Sequence, residues 1–158
     1  MSDASRKRTA AVEGTERLGE AFGRALRAGD VVTLSGPLGA GKTRLVAGLA
    51  RAIAPGSRVR SPSFTLVNEI PGSPWLFHLD LYRLEGERDI EGLGLEEYAE
   101  RGALVVEWGE RLPAAWRTEA LAIAIEPGEG DARTLVATAA AGRGLELLAA
   151  WRALPEAL

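Results

Sequence analysis

Apolar residues along this chain fall into three kinds of run, and each kind predicts a different element. Helical spacing begins at Thr15, where Leu18, Phe22, Ala25 and Leu26 share a face, and recurs in Leu45, Val46, Leu49 and Ile53; apolar positions three and four apart mark a helix with one buried side. Gly29-Asp30 and Pro55-Gly56 close these segments. The unbroken runs at 31–34 and 103–106 are too short for helices and do not alternate, so they predict strands covered on both faces. Residues 66–70 and 75–81 read as strands joined by the turn Pro71-Gly72-Ser73-Pro74, and 121–126 with 134–139 flank a glycine-rich turn, which predicts two antiparallel hairpins. Residues 8–12 suit a short edge strand, 87–101 short helical turns broken at Gly92 and Gly94, and 145–154 a closing helix. The sum is a single α/β domain over 1–158, a mixed and mainly parallel sheet flanked by helices with antiparallel hairpins. A length of 158 residues with 46% hydrophobic content suits one core. Residues 1–7 are polar, and Arg6-Lys7-Arg8 reads as a solvated, frayed end rather than a nucleic-acid contact.

Between the first buried run and the second helix stands Gly36-Pro37-Leu38-Gly39-Ala40-Gly41-Lys42-Thr43, which fits G-x-x-x-x-G-K-[ST]. In such a loop the backbone N–H groups and the positive end of the following helix face phosphate oxygens. Lys42 reaches the β- and γ-phosphates, and the Thr43 hydroxyl holds Mg²⁺. The strand-loop-helix setting makes this a P-loop NTPase fold.

Composition sharpens the motif. The chain uses 17 Arg against only Lys7 and Lys42, so Lys42 is not a generic cation; a compact ammonium suits a point contact to phosphate. There is no cysteine and a single histidine, His78, which excludes disulfides, thiolate chemistry and a histidine-based zinc site. A net charge of −3 argues against nucleic acid gripped mainly by this chain's own surface. No apolar run approaches a membrane span and the N-terminus lacks a signal-like core, so the expected location is cytoplasmic. Asn68, the sole asparagine, does not open an Asn-Lys-x-Asp guanine-reading motif, which favours ATP. The absence of glutamine points to slow intrinsic hydrolysis raised by a partner.

Mg²⁺ needs oxygen ligands beyond Thr43. Asp80 and Glu107 each end an apolar strand, where α/β folds place their chemistry. Either could bind the metal directly or through water while the other orients an attacking water. Ser61, Ser63 and Thr65 form a hydroxyl-rich segment that reads equally as a switch sensing the γ-phosphate and as a Ser/Pro turn. His78 reads equally as a core histidine and a catalytic one, and Trp108 as a packed ring or a cover on the site.

Taken together, Gly36 to Thr43, Ser61-Pro62-Ser63-Phe64-Thr65-Leu66-Val67, His78-Leu79-Asp80-Leu81-Tyr82-Arg83-Leu84 and Val106-Glu107-Trp108 resemble the TsaE (YjeE) family of small bacterial ATPases. The resemblance implies an ATP- and Mg²⁺-dependent, weakly hydrolysing protein. It would act with TsaB and TsaD in threonylcarbamoyl modification of the adenosine beside the anticodon, with tRNA engaged through the complex. It assigns phosphate and metal roles to Lys42, Thr43, Asp80 and Glu107, a switch-like role to Ser61, Ser63 and Thr65 with Thr65 among the catalytic residues, and nucleotide contacts to Arg133 and to positions around 12–15. Pro37 stands where the family usually has Asp, removing a carboxylate and an N–H from the loop. Two other expectations remain open. One is a small-molecule kinase, whose acceptor pocket Arg83, Arg88, Arg101 and Arg111 could line; the other is a nucleotide-gated scaffold without useful hydrolysis.

Overall fold

The computed structural model describes residues 3–57, 59 and 66–157. Seven strands form one sheet: β1 (Asp3–Thr9), β2 (Val31–Ser35), β3 (Val67–Ile70), β4 (Trp75–Asp80), β5 (Gly102–Glu107), β6 (Leu121–Pro127) and β7 (Arg133–Ala139). Their order is β1-β7-β6-β2-β5-β4-β3. The central four, β6, β2, β5 and β4, are parallel, whereas β3–β4, β6–β7 and β1–β7 are antiparallel. The expected hairpins thus sit on either side of the parallel centre.

The unbroken apolar runs divide between two layers because successive strand residues point to opposite faces. Val32, Leu34, Leu76, Ala103 and Val105 join one core with α1 (Val12–Gly23), α2 (Lys42–Ile53) and α6 (Gly142–Arg152). Val31, Phe77, Leu79, Leu104 and Val106 join the other, covered by α3 (Glu87–Glu91) and α4 (Leu95–Arg101) through Ile90 and Leu95. A short α5 (Ala114–Arg117) precedes β6. Every inner-face position expected of α2, namely Leu45, Val46, Leu49 and Ile53, is buried.

The N-terminal region departs from expectation twice. Residues 1–7 were expected to fray, yet Asp3–Thr9 pairs along its length with β7. Within Arg6-Lys7-Arg8 the arginines face solvent and Lys7 turns inward at 2% exposure. Its ammonium donates to the carbonyls of Arg152 and Leu154 at the end of α6, where orphan carbonyls of a helix terminus welcome a cation. Secondly, α1 begins at Val12, one turn before the expected start. Thr15, which has the chemistry of a cap, instead shares a buried hydrogen bond of 2.7 Å between its hydroxyl and that of Thr9, tying α1 to β1.

Candidate functional site

The sheet brings the predicted residues to one place. β2 delivers the loop 36–41 from its carboxyl end, and α2 opens on Lys42 and Thr43. Gly41, the residue before the helix, has φ of 104°, a left-handed conformation that costs glycine nothing and other residues much. Asp80 and Glu107 are direct partners in the β4–β5 register, and Leu34 pairs with Glu107 on the other side. Both carboxylates therefore stand at the carboxyl edge of the parallel strands next to the loop, on the face that α2 covers.

Here the side chains and loop enclose a cleft of about 910 Å³. Lys42, Thr43, Asp80 and Glu107 all line it, with Gly36, Pro37, Leu38, Gly39 and Gly41 from the loop. Val12, Thr15, Asp131 and Arg133 line it too, which brings in the two positions that resemblance alone had suggested for nucleotide contact. Ala40 is fully buried beneath the loop and Leu38 is fully exposed at its tip. Ser61, Ser63 and Thr65 lie outside the described residues.

Lys42 donates to the Gly36 carbonyl at 2.8 Å and lies 3.9 Å from Glu107 Oε1. The second Glu107 oxygen, Oε2, is 2.7 Å from His78 Nε2. His78 is therefore a core histidine that touches a site residue: it is fully buried, and Glu107 is 6% exposed. Asp80 Oδ1 accepts the Tyr82 backbone N–H at 2.9 Å, which fixes that carboxylate against the loop following β4.

Arg133 braces the phosphate loop. Its Nε donates to the Ala40 carbonyl at 2.7 Å and Nη2 to the Gly39 carbonyl at 3.1 Å, while Nη1 bonds the carbonyls of Gly130 and Ala132. Trp108, expected either to pack or to cover the site, lines the cleft at 37% exposure with φ of 62°. Leu66, also in the lining, has φ of 63°. Two non-glycine residues are thus held in this sparsely populated region beside one cleft. The Trp108 ring meets Tyr82 at 5.0 Å, and Arg111 lies near both rings while donating to the carbonyls of Leu81, Tyr82 and Leu84. Arg101 pairs with Glu69 and lies over Trp75 and Phe77. These two arginines, candidates for an acceptor pocket, are thus engaged by their own chain.

Sequence reasoning gave no site role to Arg44, Leu66 and Tyr82 in the lining. Tyr82 lies just past Asp80, beyond a strand's carboxyl end, which was the available signal; Arg83, weighed as an acceptor-pocket residue, lines the same cleft. As for Mg²⁺, no group of three or more His, Asp or Glu side chains able to hold a metal occurs among the described residues. One hydroxyl and two carboxylates around a single cleft nevertheless fit this ion, which keeps waters and draws its remaining oxygens from bound phosphates.

A family model described as "Threonylcarbamoyl adenosine biosynthesis protein TsaE" matches residues 9–135. The chain is 46% identical over 107 residues to the Nostoc sp. protein named tRNA threonylcarbamoyladenosine biosynthesis protein TsaE, covering 64% of this chain and 65% of that one, just under two thirds of the relative's length. It is 37% identical over 138 residues to the Bacillus subtilis protein of the same name, covering 86% of each. The crystal structure of Bacillus subtilis YdiB aligns with a TM-score of 0.78 at 31% identity, covering 97% of both chains. The loop, the paired carboxylates and the seven-stranded sheet thus come with matches that run most of the chain's length, and the chain belongs to the TsaE family.

Proposed function

We propose that this chain binds ATP with Mg²⁺, hydrolyses it slowly on its own, and supports repeated rounds of tRNA threonylcarbamoyladenosine formation in the cytoplasm together with TsaB and TsaD homologues. One observation carries the reading: Lys42, Thr43, Asp80 and Glu107, drawn from three separate stretches of sequence, line one cleft with the phosphate loop. Phosphoryl chemistry asks for little beyond such positioning and charge stabilisation.

In this reading the loop amides and Lys42 hold the phosphates, and Lys42 leaves the Gly36 carbonyl to do so. Thr43 would hold Mg²⁺ with Asp80 or Glu107, and the ion would neutralise charge on the transferred phosphoryl group. The remaining carboxylate orients the attacking water. Val12, Thr15 and Arg133 face the nucleoside end. Ser61, Ser63 and Thr65 serve as the switch segment that senses the γ-phosphate. The proposed complex carries the tRNA contact, in keeping with the chain's net charge of −3.

Calorimetric titration with ATP, with and without Mg²⁺, tests the first step. Reconstituting the tRNA modification with TsaB and TsaD homologues, over several turnovers and with or without this protein, tests the rest. Expected are Mg²⁺-enhanced ATP binding and a product yield that exceeds one turnover only when this protein and ATP are both present. Absence of ATP binding, or equal multiple-turnover yield without this protein, overturns the proposal.

A further inference from the structure

We propose that His78 is the positioning residue of Glu107, holding one carboxylate oxygen so that the other stays aimed at Lys42 and the phosphate loop. The inference rests on the hydrolysis reading above but is carried by separate geometry. His78 pairs with Val105 in the β4–β5 register, and two residues on Asp80 pairs with Glu107. His78 and Glu107 are thus diagonal neighbours on one sheet face, within reach of long side chains. The imidazole Nε2 is 2.7 Å from Glu107 Oε2, and Glu107 Oε1 is 3.9 Å from the Lys42 ammonium.

The other ring nitrogen shows what this histidine is for. His78 Nδ1 is buried with no hydrogen-bond partner, so Glu107 is the ring's sole polar contact among the described residues. An ionised carboxylate only accepts, so Nε2 carries the hydrogen and donates it. A leucine at this place would fill core volume without burying a bare nitrogen, which costs stability. The polar ring therefore serves its one contact rather than the core. Glutamate has three rotatable side-chain bonds; with Oε2 held from beneath, the carboxylate keeps one plane and offers Oε1 to the cleft. Partners of this outer kind set the orientation of the groups that touch metal or substrate.

Two measurements decide it. As the chain's only histidine, His78 gives imidazole ¹⁵N signals that need no assignment by mutation. Long-range ¹⁵N–¹H spectra of the unaltered protein are expected to show hydrogen on Nε2; a ring with Nε2 bare overturns the inference, whatever the enzyme turns over. The second measurement is kinetic. The wild type is assayed first, and a wild type that binds ATP without turnover sinks the hydrolysis reading while the spectra still judge the His78–Glu107 bond. With turnover established, His78→Leu is expected to lower kcat by about 10-fold to 100-fold with nucleotide affinity within about twofold. His78→Gln, whose amide N–H reaches where Nε2 lies, recovers most of the loss. In a Glu107→Gln background the His78→Leu effect disappears. A wild-type kcat in His78→Leu, or a Gln variant no better than Leu, refutes the positioning role, and circular dichroism with thermal unfolding separates these outcomes from misfolding.

Discussion

Lys7 and Lys42, the two lysines of an arginine-rich chain, both spend their ammonium groups on backbone carbonyls. An ammonium directs three N–H bonds from one atom, which suits converging carbonyls better than a planar guanidinium. On the proposed function the Lys42 contact gives way to phosphate, and Lys42→Ala is expected to abolish ATP binding by calorimetry. Asp80→Ala and Glu107→Ala are expected to retain binding and lower phosphate release by roughly 10²-fold or more, the order seen when a group that stabilises or orients the transition state is lost; unchanged turnover in both removes the carboxylates from the mechanism. At Lys7 the contact is permanent, and burial pushes the ammonium below the ordinary 10.5 although Glu156 opposes the shift. The unfolded chain then binds this proton more tightly, so stability rises with pH between the lowered value and 10.5. Denaturant midpoints should therefore show the wild type gaining on Lys7→Met as pH climbs through that interval. That Lys42, Thr43, Asp80 and Glu107 meet at one cleft was legible because a motif and two strand ends are local signals. The contacts that Lys7, His78 and Arg133 make were not, since their partners lie up to 147, 29 and up to 94 residues away in sequence, and nothing near them reports the meeting.

Among the elements, α1 and α2 approach so closely that backbone meets backbone. A Cβ on Gly48 would lie 2.1 Å from the Glu16 carbonyl oxygen. Gly48→Ala is expected to destabilise by about 1–3 kcal/mol, the cost of forcing extra volume into a packed contact, read from urea unfolding; a variant as stable as wild type would mean that the helices separate freely. The same approach holds α1, and with it Val12 and Thr15, beside the cleft. A second tie fixes α6. Arg143 grips Asp30 through Nε and Nη2, at 2.8 and 3.0 Å, and also bonds the Ala25 carbonyl; Asp30 is 3% exposed. Removing the cation strands a buried carboxylate, so Arg143→Met should cost about 3–5 kcal/mol, whereas pairing it with Asp30→Leu should recover much of the loss. The helical face of α2 was plain from three- and four-residue spacing, and that of α1 in Leu18 and Phe22; the expected Ala25 and Leu26 lie beyond its end at Gly23, well short of Gly29-Asp30. The start of α1 was not, because Thr15 has the chemistry of a cap and uses it elsewhere.

For the whole molecule, the mixed sheet and both hairpins were readable from run length, alternation and turn residues. The strand order was not, because apolar runs reveal that a strand is covered and not which strand lies beside it. That order places the phosphate loop at the centre of the sheet, flanked through β2 by β5 and β6. No helix among the described residues is long and apolar enough to cross a membrane. The order also has a consequence for how the protein comes into being. β2 and its loop are complete by residue 43, yet the neighbours of β2 occupy 102–107 and 121–127, and β1 meets its partner only at 133–139. A nascent chain emerging from the ribosome thus displays the whole phosphate-binding motif long before any strand stands next to it. Such distant pairings form late and slowly. On the proposed function nucleotide is accordingly expected to be a ligand of the finished sheet, and the motif, though early in the chain, waits on strands made much later.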